Sequence, residues 1–491
     1  MMDWILSVNS FLNGVVWGPI GLFLLFAAGL WMTLRTGMFQ VRHFGHWMKS
    51  TIGAIFTNKD VTAHTKEGDQ SISQFQSLCT ALAATIGTGN IVGVATAIVS
   101  GGPGAVFWMW VMALLGMMTG FSEKVLGIYY RRKNAKGEWT GGAMYYLRDG
   151  LGAKPGCAWL GKALAVLFSL FCAMACFGIG NIAQVNSIAK NMTAAFGVPA
   201  QLTGLVLMVL IGVVVMGGLK RVAAVTEKLV PFMAITYIVG ALVVVGVNLS
   251  MVPAAFGAIF KGAYAAKAVG GGIVGYGVKR AITWGFKRGA FSNEAGLGSS
   301  VMVSSCANVK EPVQQGMWGV FEVFADTLVV CTLTALVVLT SGVVDLQTGA
   351  MLTDVSDAAV VGQAFGSVFG SFGPKFIALA ILLFAYSTVL GWSHYGTTAF
   401  EYLFGSKYSK VYKSAFEILT FFSATMSLKT AWDISDTMNG LMMIPNLIGV
   451  LALSGTVAKI TRNYLNRTLC GSDEAPLYSA FAEYQQQAEE N

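Results

Sequence analysis

The chain has 491 residues, of which 55% are hydrophobic and only 11% are charged. Soluble domains carry about 25% charged residues, so a chain of this composition faces lipid or other apolar helices over most of its length. The net charge of +8 is small for this length, and no basic run is interleaved with aromatic residues, which excludes nucleic acid as a partner. The seven cysteines form no CxxC pair and the four histidines lack metal-ligand spacing, so no cofactor or disulfide framework is expected.

Apolar segments long enough to cross a membrane recur along the whole chain. A spanning helix needs about 20 mostly apolar residues. Eleven such helices are predicted, at residues 13–34, 72–99, 105–128, 163–188, 202–219, 229–249, 281–305, 316–341, 373–399, 411–428 and 436–457. The tenth is short and contains Glu417, and the seventh is interrupted by Lys287, Arg288 and Glu294. The sequence therefore predicts an all-α polytopic membrane protein.

The distribution of Lys and Arg predicts the orientation of these spans. When the N-terminus is placed outside and the spans alternate, most lysines and arginines fall on the inner side, as the positive-inside rule requires. The segments "RRKNAKGEW" (131–139) and "KYSKVYK" (407–413) are then cytoplasmic, whereas a basic cluster from Lys261 to Arg288 is an exception on the outer side. We therefore expect a bacterial inner-membrane protein with its N-terminus outside and its C-terminus in the cytoplasm.

Two of the predicted spans are interrupted at matching places. The second contains "GTGN" at 87–90, and the seventh, five helices later, contains "NEAGLG" at 293–298. An odd number of helices per repeat inverts the second repeat, and paired Gly-interrupted helices indicate the midplane binding site of a transporter. The expected domains are an extra N-terminal helix and loop (1–70), a first repeat (71–250), an inverted second repeat (251–465) and a cytoplasmic tail (466–491).

The glycines of "GTGN" weaken a helix that would otherwise be apolar throughout. A break leaves N–H and C=O groups without partners, which lipid does not tolerate, so something else must satisfy them. A substrate carboxylate can accept from N–H groups at a half-helix N-terminus, and carbonyl and hydroxyl oxygens suit an alkali cation. Gly87 and Gly89 would free the backbone, while Thr88, Asn90 and Ser292 would add side-chain oxygens. The alternative is that the glycines only allow close packing between helices.

Four stretches of the chain resemble one transporter family. They are "GPIGLFLLFAAGLWMTLRTGMFQVRHF" (18–44), "FQSLCTALAATIGTGNIVGVATAI" (75–98), "GGPGAVFWMWVMALLG" (101–116) and "RGAFSNEAGLGSS" (288–300). They are similar to the alanine or glycine:cation symporter family, also called the sodium:alanine symporters. The resemblance implies eleven helices, with a leucine-transporter-like five-plus-five inverted repeat after one extra helix. It also implies sodium-driven uptake of alanine, glycine or a similar small neutral amino acid. Glutamine or D-alanine as the substrate, and proton coupling, stay open.

The resemblance also implies which residues bind the substrate. The expected set is Gly87, Thr88, Gly89, Gln184, Phe291, Ser292 and Trp392. The break at 87–89 would hold the carboxylate, and Phe291 and Ser292 would lie near the ammonium group. Gln184 would contact the substrate, although a helix–helix hydrogen bond is the alternative for an amide in an apolar segment. Trp392 would form a bulky pocket wall, or would be an ordinary packed aromatic residue.

Two sodium sites are expected on the same grounds. The first would combine carbonyl and hydroxyl oxygens of Ala83, Ile86, Phe384, Ser387 and Thr388. Residues 384, 387 and 388 share one face of a helix, which fits this role. The alternative for the two hydroxyls is hydrogen bonding to carbonyls of their own helix. The second sodium site would use Thr85, Asn90 and Ser292 together with the substrate carboxylate.

Glu322 and Asp326 lie four residues apart in an apolar helix. A charge at the centre of such a helix costs about 2.5–3.5 kcal/mol on insertion scales, so both carboxylates should face the protein interior. We expect them to form ion pairs with Lys287 and Arg288, which otherwise lack partners. Alternatively, they tune the cation site or take up a proton.

Two further classes of function fit the sequence less well than transport does. An intramembrane enzyme would need a nucleophile with a base, paired aspartates or metal ligands within the membrane, and no such set is apparent. A passive channel would favour a repeated pore-lining ring over two broken helices. The protein is therefore expected to be a transporter and not an enzyme. Its expected partners are sodium, a small neutral amino acid and the lipid bilayer, and it is expected to act as a monomer.

Overall fold

The chain folds almost entirely into α-helices, as its composition predicts. The computed structural model describes residues 2–65, 71–134, 137–264, 273–352, 359–426 and 428–490. The longer helices are α1 (Met2–Val16), α2 (Pro19–Arg35), α3 (Gln74–Thr85), α4 (Gly89–Gly101), α5 (Gly104–Tyr129), α6 (Ala158–Phe196), α7 (Ala200–Val215), α8 (Gly218–Val247), α9 (Val252–Tyr264), α10 (Ile273–Asn293), α11 (Pro312–Thr340), α12 (Val360–Phe369), α13 (Phe372–Phe404), α14 (Ser409–Ser423), α15 (Leu428–Ala452), α16 (Ser454–Cys470) and α17 (Ala482–Glu490). Short helical segments are Phe39–Arg42, Phe44–Met48, Lys49–Gly53, Ala54–Thr57, Lys59–Thr62, Ala143–Tyr145, Tyr146–Leu151, Leu249–Met251, Val301–Ser304 and Ser406–Tyr408. The strands β1 (Arg132–Lys133) and β2 (Trp139–Thr140) form an antiparallel hairpin.

Several of these helices are long enough to span a membrane. Within the described ranges, six helical stretches are long and apolar enough to cross a membrane. Two pairs of helices that meet at a bend bring the number to eight if each pair counts as one span. Helices also occupy the remaining predicted spans, but α7 has 16 residues and α14 has 15, fewer than a full span usually needs. The sixth span begins earlier than predicted, at Gly218, and α9 and α12 form in segments where no span was predicted.

The distribution of side chains is that of a protein surrounded by lipid. Large apolar residues point outward, among them Phe23 (71% exposed) on α2 and Phe232 (62%) on α8. Polar side chains such as Asn90, Ser292 and Asp326 are instead fully buried. Because lipid replaces water outside, polar groups are satisfied by one another in the interior, and this concentrates the chemistry of the protein there.

Both interrupted helices break where their glycines lie. Helix α3 starts at a capping box formed by Ser73 and Gln76 and ends at Thr85, and α4 leaves it at an angle of 50°. Helix α10 ends at Asn293, and the next turn contains Gly296 and Gly298 with φ of 93° and 73°. Only glycine adopts such angles without strain, so these residues allow the second break. Helix α10 packs against α4, which brings the two breaks together.

The C-terminal segment folds back on the loop that follows α5. The backbone N–H of Ala480 donates to the carbonyl of Tyr129 at the end of α5 (2.9 Å). The ring of Phe481 lies under the guanidinium of Arg132, and Tyr484 packs edge-on against Trp139. The expected boundary between the second repeat and the tail, at 465–466, falls inside α16, which continues to Cys470.

Candidate functional site

The break between α3 and α4 is held by side chains from two directions. The N–H of Gly87 donates to Oδ1 of Asn90 (2.9 Å), one turn further along the same chain segment. The N–H of Thr88 donates to Oε1 of Gln184 on α6 (3.2 Å). Two N–H groups that a continuous helix would have bonded internally therefore point at amide oxygens. Such donors, beside a half-helix N-terminus, are suited to a carboxylate.

The substrate residues expected on the two breaks lie next to one another. A β-carbon at Gly89 would come within 3.2 Å of the Cα of Ser292 and 3.3 Å of the ring of Phe291. A β-carbon at Gly87 would meet the hydroxyl of Thr388 and approach Oε1 of Gln184. Glycine is therefore needed at both positions for close approach, and α4, α6, α10 and α13 converge at the break.

Trp392 lies one turn beyond Thr388 on the same helix and is fully buried. Its side chain packs directly against Gly180 of α6, and its ring centroid is 5.5 Å from that of Tyr395. These contacts are those of a packed aromatic residue beside the break, and its role as a pocket wall stays a prediction.

Four of the five residues expected at the first sodium site meet at one point. The hydroxyl of Thr388 donates to the carbonyl of Ala83 across the interface between α13 and α3 (2.9 Å), and the hydroxyl of Ser387 lies 3.4 Å from the same oxygen. Both hydroxyls also bond to the carbonyl of Phe384 in their own helix (3.0 and 2.8 Å). Ile86 leaves helical geometry (ψ 87°) at the end of α3. Oxygens of two helices therefore converge, and hydrogen bonding of the hydroxyls within their own helix is also observed.

Asn90 and Ser292, expected at the second sodium site, both contact the carboxylate of Asp326, for which the sequence left tuning of the cation site open as an alternative. Nδ2 of Asn90 lies 2.6 Å from Oδ1 of Asp326, and the hydroxyl of Ser292 donates to Oδ2 (2.8 Å). The hydroxyl of Thr327 also donates to Asp326 (2.8 Å). Thr85 does not join them through its hydroxyl, which donates instead to carbonyls of its own helix. Asp326 thus links both broken helices to α11.

Asp326 forms no ion pair with a Lys or Arg of the described residues. It is fully buried, and its contacts are neutral donors. A buried ionised carboxylate is costly unless a cation accompanies it. The signal in the sequence was the carboxylate in an apolar helix, but only the structure shows that it faces Asn90 and Ser292.

The expected pairing of the α11 carboxylates with Lys287 and Arg288 is wrong. Both of these basic side chains bind Asp436 of α15, at 2.7 and 3.1 Å. Glu322 instead pairs with Lys124 of α5 (2.6 Å). The reason is that the basic end of α10 faces α15, so the carboxylates of α11 meet other partners.

The second break is also held by hydrogen bonds from neighbouring helices. Glu294 has a left-handed backbone (φ 57°) where α10 ends, and its side chain is buried. Nζ of Lys124 donates to the hydroxyl of Ser300 (3.0 Å), and Nδ2 of Asn446 donates to the carbonyl of Gly296 (2.8 Å). Helix α15 therefore supplies a donor to the interrupted backbone, as an intramembrane break requires, and α5 holds a side chain just beyond it.

Comparison with known proteins shows the family of the chain. The sequence matches the family described as "Sodium:alanine symporter family" over residues 2–477. "Sodium/alanine symporter AgcS" of Methanococcus maripaludis is 45% identical over 463 residues, which cover 94% of this chain and 98% of the relative. "Probable sodium/glutamine symporter GlnT" of Bacillus subtilis is 34% identical over 463 residues, covering 94% of this chain and 91% of the relative.

The fold has a counterpart among solved structures. The crystal structure of MhsT in complex with L-phenylalanine matches with a TM-score of 0.54 and covers 81% of this chain and 99% of MhsT. At 11% identity this similarity concerns the fold alone. The family match covers nearly the whole chain, and the relatives are similar over almost their full lengths. This multi-pass membrane protein therefore belongs to the sodium:alanine symporter family.

Proposed function

We propose that this protein is a secondary active transporter that couples sodium to the uptake of a small neutral amino acid, alanine or glycine. The observation that carries the proposal is the convergence of oxygens around the first break. The carbonyl of Ala83 meets the hydroxyl of Thr388, and Asp326 lies behind Asn90. Carbonyl, hydroxyl and carboxylate oxygens of this kind suit an alkali cation, and the N–H groups at 87–88 suit a carboxylate.

The arrangement supports a coupling mechanism. The hydroxyl of Thr388 donates to the carbonyl of Ala83 in this structure. A sodium ion at the first site would be coordinated by both oxygens and would hold α13 against the break. A second sodium ion would compensate the charge of Asp326 beside the substrate. Each ion would favour the conformation in which the broken helices meet, so substrate and sodium would bind cooperatively.

The size of the substrate follows from the residues around the break. The ring of Phe291 stands next to Gly89, and the indole of Trp392 packs against Gly180. These bulky groups would exclude large side chains, which favours alanine and glycine as the substrate. The name of AgcS points the same way, whereas the name of GlnT keeps glutamine open as a substrate. D-alanine as the substrate and protons as the coupling ion also stay open.

The proposed architecture is eleven spans, with a leucine-transporter-like five-plus-five inverted repeat after one extra helix. The two breaks, each in the first helix of a repeat, support this arrangement. The proposed domains are 1–70, 71–250, 251–465 and 466–491. We place the protein in a bacterial inner membrane as a monomer, with the N-terminus outside and the C-terminus in the cytoplasm, because the basic residues favour that orientation.

Uptake of labelled alanine into proteoliposomes with an imposed sodium gradient tests the proposal. Accumulation should collapse when sodium is replaced by choline. Unlabelled glycine should compete, whereas leucine and lysine should not. Equilibration without accumulation would indicate a channel, and accumulation that follows a proton gradient alone would contradict sodium coupling. Competition by leucine as strong as that by alanine would overturn the small-pocket interpretation.

A further inference from the structure

A basic groove lies between the C-terminal end of α2 and α16, and neither of these helices contains a break. It has two adjoining parts, of about 600 and 300 Å³. Arg35 and Arg462 line both parts, and Lys459 lines the larger one. None of these three cations forms an ion pair or hydrogen bond within the described residues.

The groove is built by both helices. The indole N–H of Trp31 on α2 donates to the hydroxyl of Ser454 at the start of α16 (3.1 Å). A β-carbon at Gly455 would come within 3.4 Å of Nη2 of Arg35, so this guanidinium lies directly against α16. Helix α16 bends away from α15 by 58°, which leaves the space between α16 and the end of α2.

The charge of the groove is strongly positive. The smaller part, lined by residues 34–37 together with residues of α16, contains no carboxylate. The larger part contains one, Glu474, and both of its oxygens accept hydrogen bonds from the amides of Asn463 and Asn466. Within the described residues, no carboxylate of the groove pairs with these cationic side chains, so the groove is able to accept an external anion.

The position of the groove indicates which anion it takes. It opens at the C-terminal end of α2, whose outer face is apolar. Leu34 is 60% exposed and Trp31 is 47% exposed at its edge. Exposed tryptophan marks the level of the lipid headgroups, and basic pockets between helices at that level bind anionic headgroups. A soluble anion would not need the apolar rim.

We propose that this groove binds the phosphate-bearing headgroup of an anionic phospholipid, with Arg35 and Arg462 as the phosphate ligands and Lys459 beside them. The acyl chains would lie along the apolar face of α2 next to Leu34. The bound lipid would fasten α16 to the membrane edge of α2. The groove shares no lining residue with the two breaks, so the proposed lipid site does not depend on the transported substrate.

The test is a lipid titration of the purified full-length protein in neutral detergent, with the unfolding temperature as the readout. Phosphatidylglycerol should raise the unfolding temperature at lower concentration than phosphatidylcholine does. Each cation near an anionic headgroup contributes about fivefold to binding, so Arg35→Gln with Arg462→Gln should shift the phosphatidylglycerol midpoint about 30-fold. Lys407→Gln with Lys410→Gln is the matched control, because it removes two exposed cations elsewhere and should leave the midpoint unchanged.

Three outcomes would contradict the proposal. Equal midpoints for wild type and the arginine variant, or equal shifts in both double variants, would mean that the groove is not the site. Stabilisation by inorganic phosphate as strong as that by phosphatidylglycerol would assign the groove to a soluble anion. If the double variant unfolds early, Arg462→Gln alone decides the matter, because this exposed side chain has no hydrogen bond to lose among the described residues. It should still shift the midpoint about fivefold.

Discussion

The two candidate sodium sites differ in charge at the scale of single residues. The first is made of neutral carbonyl and hydroxyl groups, with Thr388 bonded to the carbonyl of Ala83. The second contains the carboxylate of Asp326. A neutral site offers only dipoles to a cation, whereas a buried carboxylate attracts it directly. We therefore expect substitutions at the two sites to change sodium binding in different ways.

The first prediction concerns Thr388. Thr388→Val keeps the shape of the side chain and removes the hydroxyl, so the apparent sodium affinity should fall about tenfold or more. Sodium titration of alanine binding to the purified variant measures this effect. Thr397→Val is the matched control, because Thr397 is buried on the same helix and its hydroxyl bonds only to a carbonyl of that helix. Unchanged sodium dependence in Thr388→Val would remove Thr388 from the site.

The second prediction separates Asp326 from Glu322. Asp326→Asn removes the charge beside Asn90, and the apparent sodium affinity should fall at least about tenfold while the protein stays folded. Glu322→Gln leaves Lys124 buried without its counter-charge, so it should lower the stability by about 3–5 kcal/mol. Sodium titration and thermal unfolding of both variants measure the two effects. If Asp326→Asn changes only the unfolding temperature, Asp326 is a structural residue.

At the scale of elements, the broken helices combine two requirements. They must expose backbone groups, and they must approach one another closely. Gly89 satisfies both, since it opens α4 and lies against Ser292 on α10. A β-carbon at Gly93, one turn later, would come no closer than 3.8 Å to the side chain of Arg288, and Gly93 lies in continuous helix. We therefore expect glycine to matter more for substrate binding at position 89 than at position 93.

The third prediction uses this pair of glycines. Gly89→Ala would press a β-carbon against the ring of Phe291 and would also favour helix by about 0.8–1 kcal/mol, so substrate binding should be lost. Sodium binding should be less affected. Gly93→Ala has room for the methyl group and should keep the wild-type substrate affinity. Alanine affinity and thermal stability of both purified variants provide the measurement. Wild-type affinity in Gly89→Ala would mean that these glycines only serve packing.

At the scale of the whole molecule, polar and apolar side chains are separated between the interior and the surface. Polar groups meet in the interior around the two breaks, and apolar side chains cover the outside of the helices. The basic residues are concentrated toward the side expected to be cytoplasmic. The C-terminal segment packs against β1 and β2 on the loop after α5, so the end of the chain and that loop must lie on the same side of the membrane.

The fourth prediction tests this orientation. Cys470 at the end of α16 is exposed, whereas the other cysteines are buried or, for Cys157, partly buried. A membrane-impermeant thiol reagent should label Cys470 in inverted membrane vesicles and not in intact cells. Cys470→Ser should abolish that labelling. Labelling of Cys470 in intact cells would place the C-terminus outside and would overturn the orientation derived from the basic residues.

Local features of the sequence were enough to predict the class of the protein, the positions of most of its helices and the places where two of them break. Hydropathy over about 20 residues defines a span, and glycines with polar neighbours define an interruption. The family motifs likewise lie in continuous stretches, and the family assignment is confirmed. The first residues of α8 and α15 were not predicted, because polar residues extend both helices at their N-terminal ends beyond the apolar segments.

The pairing of the buried polar groups, in contrast, became visible only in the packed fold. Asp326 contacts Asn90 from 236 positions away, Glu322 takes Lys124, and Asp436 takes the basic pair that was expected to bind α11. A charged residue in an apolar helix needs a partner, because lipid cannot solvate it. Which partner it finds depends on how each helix is rotated and which neighbour it packs against. The rotation of each helix about its axis is set by the packing of all the helices together and leaves no local signal in the sequence.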